Sequence, residues 1–247
     1  MNRDAEPELL VIGLSAFFGS TIAAIAGLGG GILLLSVLLQ FLDPMDAIPV
    51  HALIQVASNS SRAVMRRKHI KWSIVWRFAL LLIPAGVLGL LAADLFPRSG
   101  GRVAIAVFAL LVVWKPTVLE GLSRLLGHGL NAFIPLGACA GFLNIPFGVT
   151  GPAIAPVFRS HLAVKAATIA TFACAQTLGH LVKVGLFAST SFSYRPYASL
   201  ICIGFAAVVC GSWAGTKISD KVSEEKFAVI FKITLTAIAL RVIYMTF

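Results

Sequence analysis

The chain has 247 residues, of which 58% are hydrophobic and only 12% charged. A soluble domain carries roughly 25% charged residues, so the composition excludes an ordinary soluble globule and predicts an all-α polytopic membrane protein. The net charge of +10 invites a nucleic-acid reading, but the basic residues lie mainly between apolar runs, with no basic stripe interleaved with aromatics. No nucleic-acid partner is expected, and the runs do not alternate as a membrane barrel would require.

The N-terminus sets Asp4, Glu6 and Glu8 against Arg3. A secretory signal wants a positive start, so Leu9 to Ala26 is expected to remain as a first apolar helix. Gly27-Leu28-Gly29-Gly30-Gly31 then breaks the helix inside a long apolar run. Backbone that leaves the helix at membrane depth survives only where protein buries it or a polar cavity faces it. Ile32 to Leu42 is a short apolar piece, too short to cross a bilayer as a straight helix. Asp43 to Asp46 reads as a turn, with Asp46 as the cap of the next helix.

Ala47 to Met65 is less apolar than its neighbours. His51, Gln55, Ser58, Asn59 and Arg62 recur at helical spacing and share one face. A polar face on a membrane helix points to a cavity or another helix, not lipid. His51, like His161 further on, has no partner legible in the sequence and is given no role. Arg66-Arg67-Lys68-His69-Ile70-Lys71 is the strongest cytoplasmic signal, and Trp72 and Trp76 beside it fit interface anchors. Ile74 to Phe96 reads as one span kinked at Pro84, and Val103 to Trp114 begins another. Glu120 to Gly129 is a polar linker.

The second half follows the same plan. Asn131 to Phe147 is apolar, Gly148-Val149-Thr150-Gly151-Pro152 is a second break, and Ala153 to Phe158 is a short piece ending in an Arg159-Ser160-His161 turn. Ala163 to Val184 carries Gln176, His180 and Lys183. Tyr194 to Ala214 is apolar, Lys217 to Lys226 is a charged loop, and Phe227 to Phe247 is the last span. Gly31 aligns with Gly151, Gln55 with Gln176, Asn59 with His180 and Arg62 with Lys183. The expected organisation is therefore an N-terminal repeat (1–120), a linker (121–130) and a C-terminal repeat (131–247), each with a broken or re-entrant helix and about three full spans. Basic loops cluster on one side if each break reverses the chain, which favours inverted repeats over parallel ones.

A helix that starts in mid-membrane aims unpaired N–H groups and the positive end of its dipole at the centre, where an anion fits. Gly29, Gly30, Gly31, Thr150 and Gly151 are the expected substrate-binding donors at two such starts. Gln55, Asn59, Gln176 and His180 would add side-chain contacts. Arg62 and Lys183 would supply charge or a gate if they lie inside, although long cations more often reach out to an interface. The four cysteines, Cys139, Cys174, Cys202 and Cys210, sit in apolar runs without metal spacing and read as small buried hydrophobes. No catalytic constellation, metal site, phosphate loop or cofactor motif is present, so a transporter rather than an enzyme is expected.

These residues carry a family resemblance. Gly27-Leu28-Gly29-Gly30-Gly31-Ile32-Leu33, the Asp-Pro turn after it, the helix ending Asn59-Ser60-Ser61-Arg62, and the basic loop into Lys71-Trp72 resemble the TauE/SafE family of membrane permeases over nearly the whole chain. The resemblance implies a multi-pass protein of the bacterial inner membrane that moves sulfite, thiosulfate or an organosulfonate such as sulfoacetate. Its expected partners are that small anion, the lipid bilayer and a second copy in a homodimer. Two departures stand out: Ser36 replaces the family's usual Pro after the first break, while Pro156 keeps it after the second, and the second break is poorer in Gly. A cation or metal transporter is the first rival reading and a non-transporting scaffold or assembly protein the second; a membrane enzyme is weaker than either.

Overall fold

The computed structural model describes residues 5–27, 29–93, 98–115, 117–118, 121, 129–219 and 224–246. All regular structure among them is helical. The α-helices are α1 (Ala5–Ala26), α2 (Gly30–Leu38), α3 (Pro44–Met65), α4 (Trp72–Ala79), α5 (Leu82–Ala93), α6 (Arg98–Trp114), α7 (Phe133–Asn144), α8 (Gly151–His161), α9 (Lys165–Ala188), α10 (Ala198–Ile218) and α11 (Glu224–Tyr244).

Among the described residues, three segments are long and apolar enough to cross a membrane: Pro7–Ala26, Lys165–Ala188 and Arg195–Ile218. A fourth forms if α4 and α5 count as one span bent by 41°. Pro84 explains the bend, because its ring clashes with the carbonyl four residues back, at Leu80. The expected single kinked span is thus two helices with a break at Leu80 and Leu81.

Both glycine breaks reverse the chain. At the first, Gly30 packs against the carbonyl of Gly19, and a side chain on Gly19 would meet Leu33. Thus α2 runs back along α1, its start packed against the last two turns of the first span. Only glycine takes the positive φ of 81° at Gly27 and 96° at Gly29 without strain. At the second, the ring of Phe133 at the start of α7 lies 4.9 Å from Phe158 and 5.0 Å from His161 near the end of α8. So the end of α8 returns to the start of α7, and Gly148 turns the chain at φ 71°.

The helices form two groups of opposite direction. Ser20 of α1 meets Ser58 of α3 and Ser212 of α10 at 2.9 and 2.7 Å. Further along the same way, Arg66 after α3 donates to the Ala24 carbonyl and the Thr216 hydroxyl. Helices α1, α3 and α10 are therefore parallel. In the other group, Gly137 and Gly141 of α7 pack on the carbonyls of Phe78 and Leu82, and Gly86 of α5 faces Val182 and Leu186 of α9. The groups meet where α3 and α9 cross head to tail: His51 is beside His180, while the Lys71 amide donates to Thr171 Oγ1. Each half thus lends a helix to the other, with α1 on α10 and α7 on α4–α5. Glycines make these contacts close, as in membrane helix pairs generally: Gly211 packs on the Phe17 carbonyl and Gly89 on the Phe142 carbonyl.

Several expectations need correction. Asp43, not Asp46, stands at the N-cap position of α3, and Asp46 lies in its first turn. Arg159, Ser160 and His161 form the last turn of α8 rather than a separate turn. Lys217 lies in the last turn of α10 and Lys226 lies in α11, so the charged loop is shorter than expected, and 220–223 fall outside the described residues. Most of the 121–130 linker also falls outside them. Cys139, Cys202 and Cys210 are exposed on the protein surface and Cys174 is half-buried. The bundle does not bury them. His161 is not partnerless, because its Nδ1 is 2.8 Å from the Val157 carbonyl.

Candidate functional site

The two reversals bring the starts of α2 and α8 to one cavity. Gly29, Gly30, Gly31 and Ile32 line it from one side, and Val149, Thr150, Gly151 and Pro152 from the other. Neither helix start has a side-chain cap. The first intrahelical bond of α2 is from Leu33 N to Gly29 O, and α8 begins with bonds from Ala153 N and Ile154 N to Thr150 O. The N–H groups ahead of them have no partner within the helix. Two positive dipole ends therefore face one space.

Helices α3 and α9 supply the side walls. Gln55, Asn59 and Arg62 of α3 line the cavity, as do Gln176 and His180 of α9. All five are at least nine-tenths buried. Arg62 Nη2 donates to Asn59 Oδ1 at 2.6 Å, and Asn59 Nδ2 donates to Gln55 Oε1 at 3.2 Å. This chain fixes three side chains with their donors along one wall. A side chain on Gly151 would come within 2.7 Å of Gln176 Nε2, and one on Gly31 within 3.5 Å of Gln55. The glycines leave room for the amides to reach the helix starts.

Arg62 and Lys183 do not reach outward to an interface. Both are buried, at 3% and 0% exposure. Lys183 does not line the cavity but sits behind its second break, donating to Gly148 O at 2.6 Å and Asn144 Oδ1 at 3.1 Å. The contrast between the halves is plain: Lys183 grips the break, while Arg62 folds onto its own helix, with Nε donating to Ser58 O at 3.3 Å.

Two residues that sequence reasoning passed over belong here. His51 lines the cavity, and its Nε2 donates to the Gly31 carbonyl at 2.8 Å. It lies one turn before Gln55 on the polar face already recognised, which was the available signal. Asn144 holds Lys183 from one turn before Gly148. A lone polar residue at the end of an apolar run was the only hint.

None of the described residues lining the cavity is a carboxylate. Among the described residues the one salt bridge, Arg102 to Asp43 at 2.6 Å, lies on the exposed surface. No group of three or more His, Cys, Asp or Glu among them could hold a metal ion. The free volume of the cavity is about 30 Å³, enough to hold water.

The sequence matches the family described as sulfite exporter TauE/SafE over residues 12–242. The chain belongs to that family. Membership makes it a multi-pass membrane permease of the class that carries sulfur anions, which the apolar spans and the all-helical bundle fit. No curated protein and no solved structure matches the chain.

Proposed function

We propose that the chain is a secondary permease of a bacterial inner membrane that moves a small sulfur oxyanion or organosulfonate by alternating access. Sulfite, thiosulfate and sulfoacetate are the candidate substrates. The observation that carries this reading is the convergence of two uncapped helix starts on a buried cavity that holds Arg62 and no carboxylate among its described lining residues. A cation would find no counter-charge there. An anion would find oriented amides and one full positive charge, enough to bind and still leave. Gly29, Gly30, Gly31, Thr150 and Gly151 would offer backbone or hydroxyl donors. Gln55, Asn59, Gln176 and His180 would set orientation, with Arg62 as the charge and Lys183 as the support of the second break.

The reading extends to the architecture. Residues 1–120 and 131–247 are two inverted repeats, joined by 121–130, that exchange helices across the bundle. Support comes from the opposed directions of their matching helices: α1 against α7, α3 against α9, and α5 against α10. An inverted pair with the site between its halves is a common way to build alternating access.

The test is flux in liposomes holding the purified protein, with sulfite, thiosulfate, sulfoacetate, sulfate and chloride offered in parallel and protein-free liposomes as baseline. Saturable movement of a sulfur anion in preference to chloride is expected. Equal rates for every anion, or none above baseline from folded protein, would reject the reading.

A further inference from the structure

Buried polar atoms normally have hydrogen-bond partners. Among the described residues, His51 Nδ1, Thr150 Oγ1 and His180 Nδ1 are buried without one. All three residues belong to the cavity wall. They are not alike in what they lack. A threonine hydroxyl can donate to an oxyanion as readily as accept. His51 is more restricted. Its Nε2 lies 2.8 Å from the Gly31 carbonyl, and a carbonyl only accepts, so Nε2 carries the hydrogen. Nδ1 of the neutral ring is then a bare acceptor.

A bare acceptor is out of place in a wall of donors. The helix-start amides, the glutamine NH₂ groups and Arg62 all serve the oxygens of an anion. Those oxygens can do nothing for His51 Nδ1 unless a proton lies between. We propose that the cavity takes up one proton with each anion, and that His51 Nδ1 holds that proton or shares it with the bound anion. His180 is the second seat, its ring edge-on to that of His51 with centroids 5.6 Å apart.

The surrounding charges link the two ligands. Lys183 of α9 acts on both His51 and His180, and His51 and Arg62 of α3 act on His180 as well. Helix α2 adds only backbone, and α8 adds the Thr150 hydroxyl and its amides. A proton placed among Lys183 and Arg62 meets repulsion from both, and an oxyanion beside them removes it. Each ligand therefore binds better with the other present, which is reciprocal coupling. The proton comes from the aqueous side that delivers the anion and leaves with it, and nothing is oxidised or reduced.

This inference rests on the permease reading, and one experiment separates their failures. The full chain is reconstituted in liposomes with an entrapped pH dye, and labelled sulfite and thiosulfate are supplied with the membrane potential clamped at zero. The wild type should acidify the lumen as anion enters. An inward gradient of ~1 pH unit should hold thiosulfate, which carries no exchangeable proton of its own near neutral pH, at about tenfold accumulation, the ratio that one coupled proton sustains at zero potential. His51→Gln keeps an amide for the Gly31 carbonyl but takes no proton; it should carry anion more slowly and without accumulation. Anion entry with neither acidification nor accumulation in the wild type would refute the coupling and leave the permease standing, whether or not the variant folds. Accumulation by His51→Gln equal to that of the wild type would refute the role of His51. No flux of either anion from folded protein would remove both readings.

Discussion

Lys183 Nζ donates to the carbonyl of Gly148 at 2.6 Å, so a side chain from near the C-terminal end of α9 holds the backbone where α7 gives way to α8. The same group donates to Asn144 Oδ1 at 3.1 Å. A carbonyl that leaves a helix inside a bundle needs a donor. Here the donor is fully buried and comes from a different helix. The second break is therefore a fixed feature, pinned from outside the hairpin that contains it.

Lys183→Met keeps the length of the side chain and removes its donors. Two buried acceptors then lose their partner, at about 1–3 kcal/mol each. Thermal unfolding in detergent should show a lower midpoint, and limited proteolysis should find new cleavage between residues 145 and 150. A variant as stable and as resistant as the wild type would show that Lys183 does not hold the break.

The two neighbouring glycines of the first break should respond differently to the same change. A methyl at Gly30 would run into the Gly19 carbonyl and meet Ala23, where backbone cannot yield cheaply. Overpacking of this kind costs about 1–3 kcal/mol or more, so Gly30→Ala should reduce the folded yield in membranes. A methyl at Gly31 would meet Gln55 and His51 at 3.5 and 3.6 Å, which is ordinary contact. Gly31→Ala should fold normally and lose transport, because the methyl takes up space in a cavity already small. Folded yields and flux of the pair check this, and equal behaviour would contradict it.

Much of the frame was legible in sequence, because membrane helices declare themselves by length and apolarity. The two breaks were legible because glycine and proline interrupt apolar runs, and the wall residues Gln55, Asn59 and Arg62 because they share a helical face. What could not be read was long-range. His51 finds its partner in a carbonyl beyond the first break, and Asn144 finds Lys183 on another helix. Arg62 and Lys183 could have gone either way, since the same long cation near a helix end can reach water or be enclosed. Enclosure was decided by neighbours packed from the other half. The outward-facing cysteines were missed for a related reason: apolar flanks mark a membrane segment without telling its protein side from its lipid side.

Gln176 and Gly151 should behave as one unit. Nε2 of Gln176 occupies the space a side chain on Gly151 would need, at 2.7 Å. Gly151→Ala alone should displace the amide and slow transport. Gln176→Leu should weaken transport while leaving folded protein in the membrane. If the glycine matters mainly as room for the amide, Gly151→Ala added to Gln176→Ala should do little more harm than Gln176→Ala alone. A double-mutant cycle on flux measures this, since residues in contact fail to add. Strict additivity would separate the two residues.

Arg62 is the full positive charge on the cavity wall, and its hydrogen bonds suggest a division of labour. Nη2 is committed to Asn59 Oδ1 and Nε to the Ser58 carbonyl. The guanidinium is thus held in place by its own helix and presents its charge with little freedom to lose on binding. Arg62→Gln removes the charge and breaks the chain to Asn59 and Gln55. A hydrogen bond to a charged group contributes about 1.5–3 kcal/mol, so the Michaelis constant for the anion should rise about 10- to 100-fold. Arg62→Lys keeps the charge but not the fork that meets both acceptors, and its loss should fall between the two. If Arg62 is instead a purely structural cross-link, both variants should lower the unfolding midpoint and leave the Michaelis constant of the surviving protein unchanged. Kinetics and unfolding measured on the same preparations distinguish these outcomes, because a substrate contact moves the first and a cross-link the second.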